Sequence, residues 1–237
     1  MKSLENLYRA FCSAWNMMID VPLPGEQSDD CCDDNFLSAA MIPVVGAVPG
    51  ILLAVLGVLL EESVAGSIIW AFAAVIVSEL ITSGRADKFA AAGLAKLIFK
   101  EAAESFVNSA VTFVMLFKLA AFYFIAYSEN TGFAVLLFVL MFTLEMYLVT
   151  FPERNALLEL EEDGRKKLYL LPAAVLFIWF WSFPLAALFS AAAAWGTALF
   201  FRKKVWGSEH RITPDDVTLC AGCAEICILV CAIIFLG

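Results

Sequence analysis

The 237-residue chain is 62% hydrophobic and only 16% charged, with a mean hydropathy of +0.85, a balance that excludes a soluble globular domain and points to a polytopic membrane protein. At about 20 residues per spanning helix, the apolar runs use up most of the length, so a single integral membrane domain over residues 1–237 is the expected organisation. The net charge of −9 argues against nucleic acid as a partner, and its densest source, Glu26 to Asp34, reads as a solvated loop.

The N-terminal stretch lacks the unbroken apolar core and small-residue cleavage site of a secretory signal. Residues 3–19 read instead as a short amphipathic helix lying in the interface. The first predicted span covers 36–60 and carries Pro43, Gly46, Pro49 and Gly50, breakers that predict a kinked or re-entrant helix. A minimal turn at Glu61 and Glu62 leads to the second span, 64–81, with Glu79 near its end. Lys88, Lys96, Lys100 and Glu101 then interrupt Ala-rich turns, a pattern that predicts a second interfacial helix near 85–100. The third span, 106–127, contains Lys118, and the fourth, 132–151, contains Glu145. After a charged loop come two short spans, 168–181 and 184–201, then a loop with the only His, His210, and a last span over 217–236. The expected fold is therefore an all-α membrane helix bundle of about seven spans.

Apart from Lys118, every Lys and Arg falls at positions 2 and 9, 85–100, 154–167 or 202–211, which are alternate connections of a seven-span chain. Positive charge is retained on the cytoplasmic side, so the N-terminus is expected in the cytoplasm and the C-terminus outside. That expectation puts the stretch Val77 to Ala91, where an apolar run gives way to a polar loop, on the cytoplasmic face. Membrane lipid is the expected partner, and self-association stays open.

Intramembrane ionisable groups are costly and mark functional sites by default, which singles out Glu79, Lys118, Glu145 and Glu225. A Lys118–Glu145 pair tying two helices together is the structural alternative, and a midplane relay in a small transporter is a functional one. Cys220, Cys223, Cys227 and Cys231 recur at helical spacing in the last span. Thiolates are disfavoured in hydrocarbon and neither a His nor a second CxxC accompanies them, so a small-residue helix seam is expected there rather than a metal or redox site. Cys31 and Cys32, on the cytoplasmic side in this topology, are not expected to form a structural disulfide.

Several motifs together resemble the adenosylcobinamide-GDP ribazoletransferase, or cobalamin (5′-phosphate) synthase, family. Ile19-Asp20-Val21-Pro22-Leu23-Pro24 is similar to a T-R-L-P-V-P segment, and Met41 to Gly46 to an F-P-L-V-G entry into the first span. Val77 to Ala91 falls without a gap on a T-G-G-x-H-x-D-G-x-A-D-x-x-D-G segment, matching at Gly84, Ala86 and Asp87. Leu116-Phe117-Lys118-Leu119-Ala120 matches an intramembrane L-L-K-L-A, and Thr213, Asp215 and Glu225 match a C-terminal T-G-D and G-A-x-x-E-x-x-E. The family's His and two of its three Asp correspond here to Ile81, Ser83 and Ala90, its Arg positions to Asp20 and Glu145, and the first Glu of the C-terminal pair to Gly222.

The resemblance implies an Mg²⁺-dependent membrane transferase of a bacterial or archaeal cytoplasmic membrane, acting in cobalamin biosynthesis on adenosylcobinamide-GDP and α-ribazole or its phosphate. It implies Asp87, Asp215 and Glu225 as catalytic residues, with Asp87 and Asp215 on the metal. Arg85, Lys88 and Arg211 would contact phosphates, and Gly84 and Thr213 would set loop geometry. Phosphoryl transfer needs a carboxylate cluster for Mg²⁺ and cations for the remaining charge. The lost carboxylates leave open a catalytically silent relative that keeps the fold as a binding or scaffold protein.

Overall fold

The computed structural model describes residues 2–19, 34–60, 63–82, 104–150, 182–205 and 212–236, with residues 84, 85, 87, 88, 90–92, 160, 164, 167 and 168 between them. Its helices are α1 (Lys2–Met18), α2 (Asn35–Leu59), α3 (Val64–Thr82), α4 (Glu104–Tyr127), α5 (Phe133–Val149), α6 (Pro184–Phe200) and α7 (Pro214–Leu236), with a π-helical turn, Phe201–Val205, after α6. Five of them, α2, α3, α4, α6 and α7, are long and apolar enough to cross a membrane, and α5 is a shorter apolar helix. The chain is thus an all-α membrane helix bundle.

The centre of the bundle is α5. Every residue in it except Val135 and Tyr147 is buried, because FAVLLFVLMFTLEMYLV is apolar on all sides and only full enclosure satisfies such a helix. Its 17 residues span about 25 Å at 1.5 Å per residue, somewhat less than a hydrocarbon core. The longer helices around it turn Ile69, Phe72, Ile76, Phe113 and Leu116 outward, the orientation expected of side chains facing lipid tails.

Helix α2 lies closest to α5, and its glycines make that approach possible. A Cβ on Gly50 would meet Val135 Cα at 2.5 Å, and one on Gly46 would meet Phe142 Cγ at 2.6 Å. Gly46 and Gly50 form a G-x-x-x-G pair, the pattern that lets two backbones touch in a membrane. Of the kinked and re-entrant forms expected, the re-entrant one is ruled out: α2 runs as one helix through Pro43 and Pro49, with both prolines buried. Its N-terminus is capped by Asp34, whose carboxylate accepts from the Leu37 N–H at 3.0 Å.

Aromatic contacts fix the course of α6. Phe133 packs edge-on against Phe183 at 6.2 Å, and Tyr147 meets Trp195 at 4.5 Å, so α5 and α6 run in the same direction. Of the predicted span 168–181 only Leu168 is among the described residues, and most of the interfacial helix expected near 85–100 lies outside them. Helix α7 closes the bundle. Phe235 stacks on Phe189 at 4.3 Å near one end, and Cys220 and Ala224 pack with Ala198 and Phe201 near the other.

The cysteine stripe of α7 departs from the expected seam. Cys220 is buried, but Cys223 and Cys231 are half-buried and Cys227 is exposed. The packed face is made instead by Cys220, Ala221, Ala224, Ile228 and Ala232. At 3.6 residues per turn the four cysteines stay within about 80° of one another, but the buried face is centred further round the helix, so the stripe runs along its edge, with Cys220 enclosed and Cys223 partly buried against the same cluster. Cys31, Cys32 and His210 lie outside the described residues.

Candidate functional site: a buried ion cluster

Lys118 sits in the middle of α4 with none of its surface exposed. Helical side chains lean toward the N-terminus of their own helix, so its long stem rises toward the end of the bundle where α3 finishes. There Nζ lies 3.0 Å from Glu79 Oε1, 3.0 Å from Asp87 Oδ1 and 3.0 Å from Glu225 Oε2. It also donates to Ser78 Oγ at 2.9 Å, and that hydroxyl donates to Glu225 Oε1 at 2.8 Å. One ammonium thus gathers side chains from α3, α7 and the segment after α3.

The backbone explains how Asp87 arrives. Just past α3, Gly84 takes a positive φ of 70°, a conformation open to glycine at little steric cost, and its N–H closes a turn on the Glu79 carbonyl at 2.8 Å. The chain folds back over the end of α3, and Asp87 is buried three residues later at 1% exposure. Arg85 and Lys88 on the same segment are exposed, so the carboxylate turns inward while its basic neighbours stay at the surface.

The charge count of the cluster is informative. Three carboxylates against one ammonium leave two negative charges uncompensated if all are ionised, and buried charge is tolerated only when paired and hydrogen-bonded. Asp87 Oδ2 is buried without a hydrogen-bond partner, and Glu225 Oε2 has the ion pair with Lys118 but no hydrogen bond. Two protons or one divalent cation would bring the group to neutrality. The charge therefore suits Mg²⁺, but the ligand geometry does not. Nζ stands where the three carboxylates converge, and among the described residues no three His, Cys, Asp or Glu side chains are arranged to hold a metal ion.

Asp215 does not join the cluster. It lies exposed in the first turn of α7, ten residues before Glu225, or about 15 Å along the helix axis. The local sequence explains its position. Thr213 N–H and Thr213 Oγ1 each donate to Asp216 Oδ2 at 2.8 Å, and Asp216 N–H returns a bond to Thr213 Oγ1 at 3.3 Å. With Pro214 opening the helix, Thr213-Pro214-Asp215-Asp216 is a capping box built on Asp. Thr213 and Asp216 are accounted for by helix initiation.

Glu145 corrects a second expectation. It is buried in α5, and Lys118 pairs with Glu79, Asp87 and Glu225 instead of with it. Helix α4 packs against α3 and α7, and the lysine can neutralise only what those neighbours offer. Arg211 lies outside the described residues. Ser78, which sequence reasoning passed over, bridges the lysine and Glu225. The signal was present, since Ser78 precedes an intramembrane Glu, and small hydroxyls in apolar spans commonly serve as interhelical hydrogen-bonding groups.

Comparisons with protein-family models, with curated proteins and with solved structures return no match.

Proposed function

We propose that this chain is a divergent relative of the adenosylcobinamide-GDP ribazoletransferases, one that keeps the membrane fold and its buried ion cluster and binds an amphiphilic intermediate of that chemistry without carrying out the transfer. The observation that carries the relationship is spatial. Asp87, Lys118 and Glu225 match the family's motifs in three separate stretches of sequence, and all three meet at one buried point. The Lys118 ammonium on the converging carboxylates supports the loss of transfer, since Mg²⁺ would have to displace it. Asp215, the other expected ligand, stands in a capping turn about 15 Å along α7 from Glu225.

On this reading the protein lies in a bacterial or archaeal cytoplasmic membrane with its N-terminus inside, and the ion cluster faces the cytoplasmic leaflet, the side to which Lys and Arg are confined. Exposed Arg85 and Lys88 beside the cluster suit a phosphate-bearing ligand. A second reading, an active Mg²⁺-dependent transferase, draws on the three carboxylates set against one ammonium and on the unpartnered Asp87 Oδ2.

Complementation of a strain lacking the synthase separates the two. The binding reading expects no growth rescue although the protein is inserted in the membrane, together with retention of adenosylcobinamide-GDP by the purified protein. Rescue abolished by Asp87→Ala would overturn it in favour of the transferase.

A further inference from the structure

At the end of the bundle opposite the ion cluster, a cavity of about 440 Å³ opens between the last turn of α2, the first turns of α3 and the connection from α4 to α5. That volume is in the range of small-molecule sites. Gly57, Gly66, Ser67, Trp70, Glu129 and Thr131 are among the residues that line it. It is independent of the proposed function and shares no residue with it.

The lining offers acceptors. Glu129 is the only charged residue in it among the described residues, and its carboxylate has no partner there. Ser67, 8% exposed, and Thr131 carry hydroxyls that bond to no described side chain or backbone group. The indole N–H of Trp70, which could have served an anion, is already committed to the Leu53 carbonyl at 2.6 Å. Among the described residues, the connection 128–132 contains Glu129 and neither Lys nor Arg, and no basic residue lines the cavity. The local field therefore favours a cation.

Glu129 also occupies an unusual backbone position. Its φ is 60°, and the bonds from its N–H to the Ala126 carbonyl and from Asn130 N–H to the Ile125 carbonyl, each 3.0 Å, close α4 in a Schellman turn. That position ordinarily takes glycine. Glu129 thus lines the cavity, at its exposed rim, from a backbone position that glycine ordinarily takes, beside the Ser67 and Thr131 hydroxyls.

We infer that this cavity binds an alkylammonium group, carried either by a free small amine or by the headgroup amine of a phospholipid in that leaflet. The ammonium donates to the Glu129 carboxylate and to the Ser67 and Thr131 hydroxyls, and the indole of Trp70 forms its wall.

The test uses the purified full-length protein in mild detergent, with ethanolamine as probe and ethylene glycol as its neutral counterpart. Ethanolamine is expected to raise the thermal midpoint saturably and ethylene glycol not to. Glu129→Gln should weaken the apparent ethanolamine affinity at least tenfold. Glu129→Gly guards against misfolding, because it relieves the turn: its unliganded midpoint should rise while the response to ethanolamine disappears. In a second arm, native mass spectrometry of protein from nanodiscs of phosphatidylethanolamine mixed with phosphatidylglycerol identifies the source. Retained phosphatidylethanolamine that Glu129→Gln loses assigns the site to lipid, and a response to the free amine alone assigns it to a soluble ligand. Equal responses to the neutral probe, or undiminished binding by both Glu129 variants, would overturn the inference.

Discussion

The seam between α2 and α5 and the ion cluster joining α3, α4 and α7 tie helices together by opposite means. In lipid there is no hydrophobic force to press helices against one another. The seam answers with shape alone, through Gly46 and Gly50. The cluster answers with charge, holding Glu79, Asp87 and Glu225 on Lys118 across gaps that glycines do not close. The difference bears on function. A glycine seam does nothing but hold, whereas a buried cluster with an unpartnered oxygen and three carboxylates on one ammonium is a poor choice for holding alone, since buried ion groups are often no more stable than apolar replacements.

The most damaging single change should therefore be Lys118→Met, which leaves Asp87 and Glu225 buried and Glu79 half-buried without a cation. Breaking a buried ion group costs about 3–5 kcal/mol, and the variant is expected to lose its monodisperse elution in mild detergent and most of its thermal stability. Adding Glu79→Gln, Asp87→Asn and Glu225→Gln to Lys118→Met should restore most of that stability while abolishing retention of adenosylcobinamide-GDP. If Lys118→Met alone unfolds no more easily than wild type, the cluster does not bind the helices together and the contrast with the seam fails.

Next in size are the glycines. Gly50→Ala would drive its methyl into the backbone of α5, at Val135 Cα, whereas Gly46→Ala meets chiefly the Phe142 side chain. Overpacking of this kind costs about 1–3 kcal/mol, with Gly50 at the upper end because backbone cannot swing aside. Thermal unfolding of the two variants should rank Gly50→Ala below Gly46→Ala. The reverse order would mean that α2 and α5 slide rather than clash.

These sites differ in how far the sequence revealed them. The described spans were legible because each is a long apolar run, and the ends of α2 and α3 fall within one residue of their predicted limits. The special place of α5 was not, since a helix apolar on all sides reads the same whether it faces lipid or protein. Asp87, Lys118 and Glu225 could each be singled out from local pattern, but which carboxylate Lys118 takes depends on which helices neighbour α4, and no periodicity encodes that. Glu145 stood equally available in sequence and lies on a helix that Lys118 does not address. The αL turn at Glu129 was hidden for another reason: a glutamate carries no signature of positive φ, so the turn is visible only once folded.

The smallest effect tests the start of α7, where resemblance and capping compete to explain the same residues. If Thr213 caps the helix through Asp216, Thr213→Ala should cost about 1 kcal/mol. Exposed Asp215, bonded to nothing in the capping box, should tolerate Ala within about 0.5 kcal/mol. Metal ligation predicts the opposite pattern under Mg²⁺, with Asp215→Ala losing a cation-dependent stabilisation that Thr213→Ala keeps. Thermal unfolding of both variants with and without Mg²⁺ decides the matter. A capping helix start leaves Glu225 as the one acid of α7 within reach of Lys118, so the contribution of α7 to the ion cluster comes down to that single carboxylate.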